Sequence, residues 1–95
     1  MMMPNREIKR TSQFKRDFKN LRYDRKLVEE LSSVIADLSA DIPLSKDKCD
    51  HALHGIWEGF RDCHIRPDVV LIYQKIDNQL RVLLLARVGS HSKLF

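Results

Sequence analysis

The stretch VVLIYQKIDNQLRVLLLARV, residues 69–88, decides the fold of this 95-residue chain. Residues 69–73 form an apolar, largely β-branched run, which is typical of a buried strand. The dipeptide Asp77-Asn78 tolerates positive φ angles and predicts a tight turn. Residues 80–88 then return as a second strand. We therefore expect an antiparallel hairpin at the centre of the fold.

The turn also predicts a register for this hairpin. A two-residue loop at Asp77-Asn78 pairs Ile76 with Gln79, and the same register places Asp68 opposite Arg87. Directly opposed side chains share one face of a sheet, so these two charges can form an ion pair. Such a pair at the end of a sheet can be purely structural and of little energetic value. It can also orient a functional group at the rim of a cleft.

Two amphipathic helices are predicted before the hairpin. Phe14, Phe18 and Leu21 recur at helical spacing and form one apolar stripe. A second stripe of helical period covers residues 27–38, after the potential cap Asp24. Ile42-Pro43 ends it, because the residue before a proline disfavours helical geometry. The short joint between the stripes predicts a helical hairpin.

The remaining elements complete an α+β fold. Residues 7–10 are predicted as a first strand, and residues 60–65 as a strand that ends at the turn Arg66-Pro67. The expected order is β-α-α-β-β-β, with the N-terminal helical hairpin packed on one face of a small antiparallel sheet. The length predicts a single domain, residues 1–95.

Net charge and hydropathy limit the kinds of binding partner that this chain can have. The chain carries a net charge of +4, and residues 6–26 alone contain nine Lys/Arg against three Asp/Glu. Such a basic segment is either a solvated helix face or a surface for phosphates. No apolar run approaches the roughly 20 residues that span a bilayer, and no secretory h-region is visible at the start. We expect a cytoplasmic protein without a membrane partner.

All four histidines lie in the second half of the chain: His51, His54, His64 and His91. Imidazole has an unperturbed pKa of about 6.5 and can both take and give a proton near neutral pH. Together with Arg87, the cluster indicates acid–base chemistry on a phosphate ester. Scattered histidines are also common as plain surface or core residues. The two cysteines match no familiar zinc spacing, and no metal or cofactor is expected.

Three sequence blocks carry a family resemblance. They have the patterns D-H-x-L-x-G at residues 50–55, F-R-D-x-H-x-x-P-D at 60–68 and R-x-G-[ST]-H-x-x-L-F at 87–95. In this order they resemble the YafQ branch of the RelE/ParE toxin superfamily. The resemblance implies a RelE-like fold and a toxin of a type II toxin–antitoxin system. It further implies a ribosome-dependent endoribonuclease that cuts mRNA in the A site and inhibits translation.

The resemblance also implies partners and catalytic positions. A DinJ/RelB-type antitoxin would neutralise the toxin, and the complex would bind operator DNA mainly through the antitoxin. Ribosome and mRNA would be the other partners. One departure concerns Val69, which is a bulky aromatic residue in some relatives, so a base contact from this position is not expected. The catalytic positions implied by the motifs are His51, His64, Asp68, Arg87 and His91, with Phe95 beside them.

The chemistry of these side chains suggests a division of roles. We expect His91 to be the general acid and Arg87 to stabilise the phosphorane. The residue patterns do not decide which of His51, His64 and Asp68 is the general base and which of them orient it. For substrate binding we expect Phe95 to stack on a base, and phosphates to be held by a set of cations, Lys46, Lys48, Arg61 and Arg81.

Two alternatives remain open at this point. A ParE-like toxin of the same fold could act on a protein target such as gyrase without any nuclease activity, although that class has no need for a histidine cluster. A small basic module could also bind RNA without cleaving it. No role is assigned to His54 in any of the three hypotheses.

Overall fold

A five-stranded sheet forms the centre of the molecule, which the structure, a computed structural model, describes over residues 5–95. In sheet order β1-β5-β4-β3-β2, β1 is parallel to β5 and the other neighbours are antiparallel. The α+β fold is confirmed, although the sheet is mixed rather than antiparallel and has the additional short elements β2 and α3. The elements are β1 Glu7–Arg10, α1 Ser12–Lys19, α2 Arg25–Ser39, β2 His51–Ala52, β3 Arg61–Arg66, β4 Val69–Asp77, β5 Arg81–Ser90 and α3 His91–Leu94.

Both long helices begin at the side chains that can cap them. The Thr11 hydroxyl accepts from the backbone N–H of Phe14 at 3.0 Å, and the Asp24 carboxylate accepts from that of Leu27 at the same distance. Each cap satisfies an N–H that has no partner within its helix. No helix in the described part of the chain is long and apolar enough to cross a membrane.

The two faces of the sheet bury different apolar clusters. The face that we call the helix face packs against α1 and α2, and the opposite face, the site face, is only partly covered, by the segment 53–60 and by α3. Trp57 and Phe60 meet there edge to face, with ring centroids 5.3 Å apart. Because β4 is buried on both faces, its sequence is a continuous apolar run. Sheet residues of the helix face are Cys63, Ile65, Leu71, Tyr73, Leu83, Leu85 and Val88, and those of the site face are Val70, Ile72 and Ala86.

The predicted hairpin register is wrong. Asp77 pairs with Arg81, so the loop holds three residues rather than two, and a second shift makes Ala86 an extra residue in β5. This β-bulge places Arg87 opposite Ile72. Asp68 lies in the turn between β3 and β4, so the expected Asp68–Arg87 pair does not form.

An ionic cluster closes the hairpin end of the sheet. Asp41, in the left-handed region at φ 57°, accepts from Arg6 at 2.8 Å, from Lys75 at 2.8 Å and from Arg81. The hydrogen bonds from Lys75 and Arg6 lower the pKa of Asp41 to about 2. Arg81, one of the expected phosphate ligands, is therefore bound to a carboxylate here, at the opposite end of β5 from Arg87.

Replacing Asp41 by Asn should make the stability of the protein less sensitive to acid. The pKa of Asp41 is lowered by folding, so its carboxylate contributes stability above the unfolded value of 3.8, and this contribution is lost as the pH falls to about 2. Asn tolerates the left-handed backbone, so Asp41→Asn removes only the charge. Urea unfolding should show a deficit in the free energy of unfolding at pH 7 that vanishes near pH 2.

Asp37→Asn is the matched control, because Asp37 lies on α2 and makes no ion pair within residues 5–95. It should change the pH profile little. A deficit of Asp41→Asn that keeps the same size at every pH would contradict the electrostatic origin of the effect.

Candidate active site

A buried carboxylate lies at the middle of the site face. Asp62 on β3 pairs with His51 of β2 on one side and with Ile72 of β4 on the other, and its side chain is 3% exposed. Its Oδ1 atom has no hydrogen-bond partner within residues 5–95. A charge that is removed from water without full hydrogen bonding is costly, so it marks a candidate functional position.

Three histidines act electrostatically on this carboxylate, and one of them, His51, lies 3.1 Å from it. Burial raises the pKa of Asp62, whereas the electrostatic influence of His51, His64 and His91, in decreasing order, lowers it. His51 and His64 come from the neighbouring strands β2 and β3, and His91 begins α3, directly after β5. The structure therefore brings together the three histidines of the sequence motifs. His54 is separate, since it is largely exposed and pairs with Glu58 at 3.4 Å.

The ring of His51 is oriented by two oxygens. Its Nδ1 atom lies 2.7 Å from the carbonyl oxygen of Cys49 and 3.1 Å from Oδ1 of Asp62. Only the carbonyl is placed to accept the N–H, because Oδ1 of Asp62 makes no hydrogen bond. A neutral imidazole that donates through Nδ1 keeps its lone pair on Nε2. Since the side chain is 55% exposed, this lone pair is available to a substrate.

The C-terminal turn α3 holds His91 and Phe95 against each other. Ser90 caps this turn, Leu94 is buried, and the rings of His91 and Phe95 lie 4.8 Å apart. Leu94 thus anchors the tail to the site face, while Phe95 remains 49% exposed. An aromatic ring next to an imidazole on an open surface can stack on a nucleobase.

Arg87 is bound by a carboxylate that sequence patterns did not reveal. Asp17 of α1 accepts from Arg87 Nε at 3.0 Å and from Nη2 at 2.9 Å. Burial raises the pKa of Asp17, but the hydrogen bonds from Arg87 and from the backbone N–H of Val88 outweigh this effect, so its pKa is lowered. The same contact raises the pKa of Arg87. Arg87 is thus a permanent cation at the site face, with a side chain that is 21% exposed.

The remaining predicted residues take different positions. Asp68 is exposed in the turn after β3, next to the strand that bears His64. Lys48 and His64 line a common groove of about 410 Å³, whereas Lys46, at the start of the same short turn as Lys48, is exposed outside this groove. Arg61 lies opposite Tyr73, on the helix face, so it is not part of the histidine cluster.

A network on the helix face accounts for Arg61. Its Nε donates to Asp50 Oδ1 at 3.2 Å, and the hydroxyl of Tyr73 donates to the same oxygen at 2.6 Å. Arg61 thereby holds the residue that precedes His51 in the chain. Arg61 therefore supports the site through the Asp50 side chain and does not reach the open face that bears the histidines.

Two acidic residues of this region were missed by sequence reasoning. Asp62 precedes His64 by two positions, a spacing that places both on one face of a strand. Asp17 follows Phe14 by three positions and so shares the apolar stripe of α1. Period-two and helical spacing are therefore signals that could have found both. Within residues 5–95 no group of three or more His, Cys, Asp or Glu side chains is placed to hold a metal ion.

Solved structures share this arrangement of sheet and helices. The crystal structure of YafQ from Escherichia coli strain BL21(DE3) matches 95% of the chain and 98% of its own, with a TM-score of 0.84 and 33% identity. YafQ in the E. coli DinJ–YafQ toxin–antitoxin complex matches 96% of the chain and 98% of its own, with a TM-score of 0.82 and 34% identity. The fold therefore places this chain in the class of small α+β toxins.

Sequence comparison leads to the same family. The mRNA interferase toxin YafQ of E. coli K12 is 35% identical over 94 residues, which cover 98% of this chain and 99% of the relative. Residues 6–95 match the family model described as the bacterial toxin YafQ of type II toxin–antitoxin systems. The chain therefore belongs to the YafQ family of type II toxins. The family and the enzyme class that the motifs predicted are confirmed.

The ionisation of Asp62 should respond to each of the three histidines. Replacing His51 by Gln should raise the pKa of Asp62, because the strongest opposing charge is removed; His64→Gln and His91→Gln should raise it by smaller amounts. NMR titration of the ¹³C-labelled Asp62 carboxyl measures the value directly. His54→Gln is the control and should leave the midpoint unchanged. Equal shifts in all four variants would contradict a specific cluster around Asp62.

Proposed function

We propose that this protein is the toxin of a type II toxin–antitoxin system and acts as a ribosome-dependent endoribonuclease that cleaves mRNA in the A site. The observation that carries the proposal is the group of three histidines around the buried Asp62, with Arg87 on a neighbouring part of the same face. Family membership and the activity named for the E. coli relative support it. The net charge of +4 suits a polyanionic substrate.

The reaction would be attack of an RNA 2′-OH on the adjacent phosphate. The 2′ oxygen forms a bond to phosphorus and its proton passes to a base, while the bond to the 5′ oxygen breaks and that oxygen receives a proton from an acid. The products are a 2′,3′-cyclic phosphate and a 5′-OH. Histidine suits both transfers near neutral pH.

His51 is the general base in this scheme. Its Nδ1–H is directed at the carbonyl of Cys49, so Nε2 can take the 2′ proton. The imidazolium that results has Oδ1 of Asp62 at 3.1 Å, an acceptor that is otherwise unused. Asp62 would thus stabilise the protonated base through its negative charge alone, since the Cys49 carbonyl takes the Nδ1–H.

His91 is the general acid, and Phe95 positions the substrate. The exposed His91 ring can reach a leaving oxygen, and the exposed ring of Phe95, 4.8 Å away, can stack on a base of the message. His64 and Asp68 serve as orienting groups beside the base. This assignment is supported by their closeness in the chain, His64 on β3 and Asp68 in the turn that follows it.

Cations complete substrate binding. Arg87 would hold the phosphorane through its free N–H groups. Lys48, in the groove next to His64, and Lys46 would hold flanking phosphates. Arg61 and Arg81 are bound to carboxylates on the helix face and at the hairpin end, and we assign them weaker, indirect roles.

The proposed partners follow from the family. A DinJ/RelB-type antitoxin would neutralise the toxin, since E. coli YafQ has been solved in complex with DinJ. Operator DNA would be bound mainly through the antitoxin, and the ribosome and its mRNA would be met in the cytoplasm. No metal or cofactor takes part in the proposed reaction.

Substitution of the proposed acid or of the phosphate ligand should abolish toxicity. His91→Ala should slow cleavage by about 10²–10⁴-fold, the usual contribution of a general acid, and Arg87→Ala should be comparably inactive. Growth arrest on induction, together with mapping of mRNA 5′ ends in a translating extract, measures the effect. His54→Ala is the matched control and should cleave as the wild type does.

Each alternative function has its own result in the same extract. Cleavage that persists in both active-site variants would contradict the mechanism. Intact mRNA with inhibited gyrase would identify a ParE-like toxin, and RNA binding without either effect would identify a binding module. Circular dichroism should show that all variants keep the wild-type fold.

A further inference from the structure

The apolar stripe of α1 is interrupted by a buried charge. Asp17 lies between Phe14 and Phe18, and its side chain is only 4% exposed. A carboxylate in such a place costs free energy unless it is paired and hydrogen-bonded. A hydrophobic residue of similar volume would serve packing at least as well, because buried ion pairs are a poor source of stability. The contacts of the Asp17 carboxylate must therefore explain why a charge is kept at this buried position.

All strong contacts of Asp17 are with β5. Oδ2 accepts from Arg87 Nε at 3.0 Å and from the backbone N–H of Val88 at 3.2 Å, while Oδ1 accepts from Arg87 Nη2 at 2.9 Å. A weaker contact at 3.4 Å comes from Gln13 on its own helix. The carboxylate thus binds both the side chain of Arg87 and the backbone immediately after it.

This contact coincides with the bulge in β5. The ladder between β1 and β5 ends at Leu85, after which Thr11 donates through its backbone to the Leu85 carbonyl at 3.0 Å and through its hydroxyl to the Ala86 carbonyl at 2.6 Å. Beyond the bulge, the Asp17 carboxylate accepts a hydrogen bond from the backbone N–H of Val88. Helix α1 therefore replaces β1 as the neighbour of β5 along the residues where the bulge turns Arg87 toward the site face.

The geometry leaves part of the guanidinium free. Of its five N–H donors, Nε–H and one Nη2–H point at Asp17, so three remain. Because the fork is planar and rigid, two parallel bonds on one side fix the direction of the donors on the other. The side chain is 21% exposed, so part of it is open to solvent.

We propose that Asp17 is a positioning residue, which holds the Arg87 guanidinium in the orientation in which its three free N–H donors meet the phosphate of the RNA. The inference rests on the proposed role of Arg87 in catalysis. Asp17 touches no substrate itself. Its contribution is to fix the donors before the phosphorane forms, so that little reorganisation is needed in the transition state.

The first test is Asp17→Asn, measured as cleavage of mRNA on programmed ribosomes over a range of toxin concentrations. We expect kcat to fall by about 10–100-fold, the loss that a displacement of a catalytic group by about 1 Å can cause, with little change in the half-saturating concentration. Asp77→Asn is the matched control. It weakens another Arg–carboxylate contact, that of Arg6 with Asp77 at 2.9 Å, at the hairpin end of the sheet, and should keep kcat at the wild-type value.

A second test uses guanidinium ion as the probe. Arg87→Ala should regain part of its activity when guanidinium is added at low millimolar concentration, because Asp17 can bind the free ion in place of the side chain. The double variant Asp17→Asn/Arg87→Ala should show no such rescue, and it should be no slower than Arg87→Ala without guanidinium. A structural role alone would not make rescue depend on Asp17.

The outcomes separate this inference from the proposed function. If Arg87→Ala cleaves normally, the catalytic role of Arg87 is wrong. If Arg87→Ala is inactive but Asp17→Asn keeps wild-type kcat, the positioning role of Asp17 is wrong while the nuclease proposal stands. If Asp17→Asn does not fold, Asp17→Glu carries the test, since it retains the charge but displaces it by one methylene. Wild-type kcat in a folded Asp17→Glu variant would then overturn the inference.

Discussion

The register of β5 is the constraint on which the site depends. Leu83 and Leu85 point to the helix face, and regular alternation would send residue 87 to the same side, into the core. The extra residue Ala86 shifts the register, so that Arg87 lies opposite Ile72 on the site face and Val88 returns to the helix face. One bulge thereby lets a single strand serve both the core and the chemistry.

Helix α1 stabilises this irregular piece of strand. A bulge leaves backbone groups without hydrogen-bond partners in the sheet. Here Thr11 donates to the carbonyls of Leu85 and Ala86, and the Asp17 carboxylate accepts from the N–H of Val88. Thr11 also caps α1. The same hydroxyl therefore couples the start of the helix to the shape of a strand some 75 residues later in the chain. Local helix formation and the geometry of the site face depend on each other through this contact.

The sequence was sufficient for the elements but not for their register. The local sequence predicted both long helices, the cap Asp24 and four of the five strands of the described residues, because these depend on neighbours within a few residues. The hairpin loop and the bulge were missed because the bulge depends on contacts with residues 11 and 17, which no local pattern contains. The three motif histidines lie near one carboxylate, but the role of Asp62 was overlooked, because its period-two spacing from His64 indicates a shared strand face and not that its side chain is buried next to His51.

Two carboxylates of this fold, Asp41 and Asp62, lie in different electrostatic environments. Asp41 is bound by arginine and lysine side chains, cations that remain charged at any physiological pH, so its own charge is fixed. Asp62 is more deeply buried, and the side chains that compensate its charge are the imidazoles of His51, His64 and His91. Imidazole, unlike the fixed cations around Asp41, is suited to exchanging a proton. Under the proposed mechanism, the Asp62 carboxylate would therefore stabilise a charge that forms on His51 only during the proton transfer.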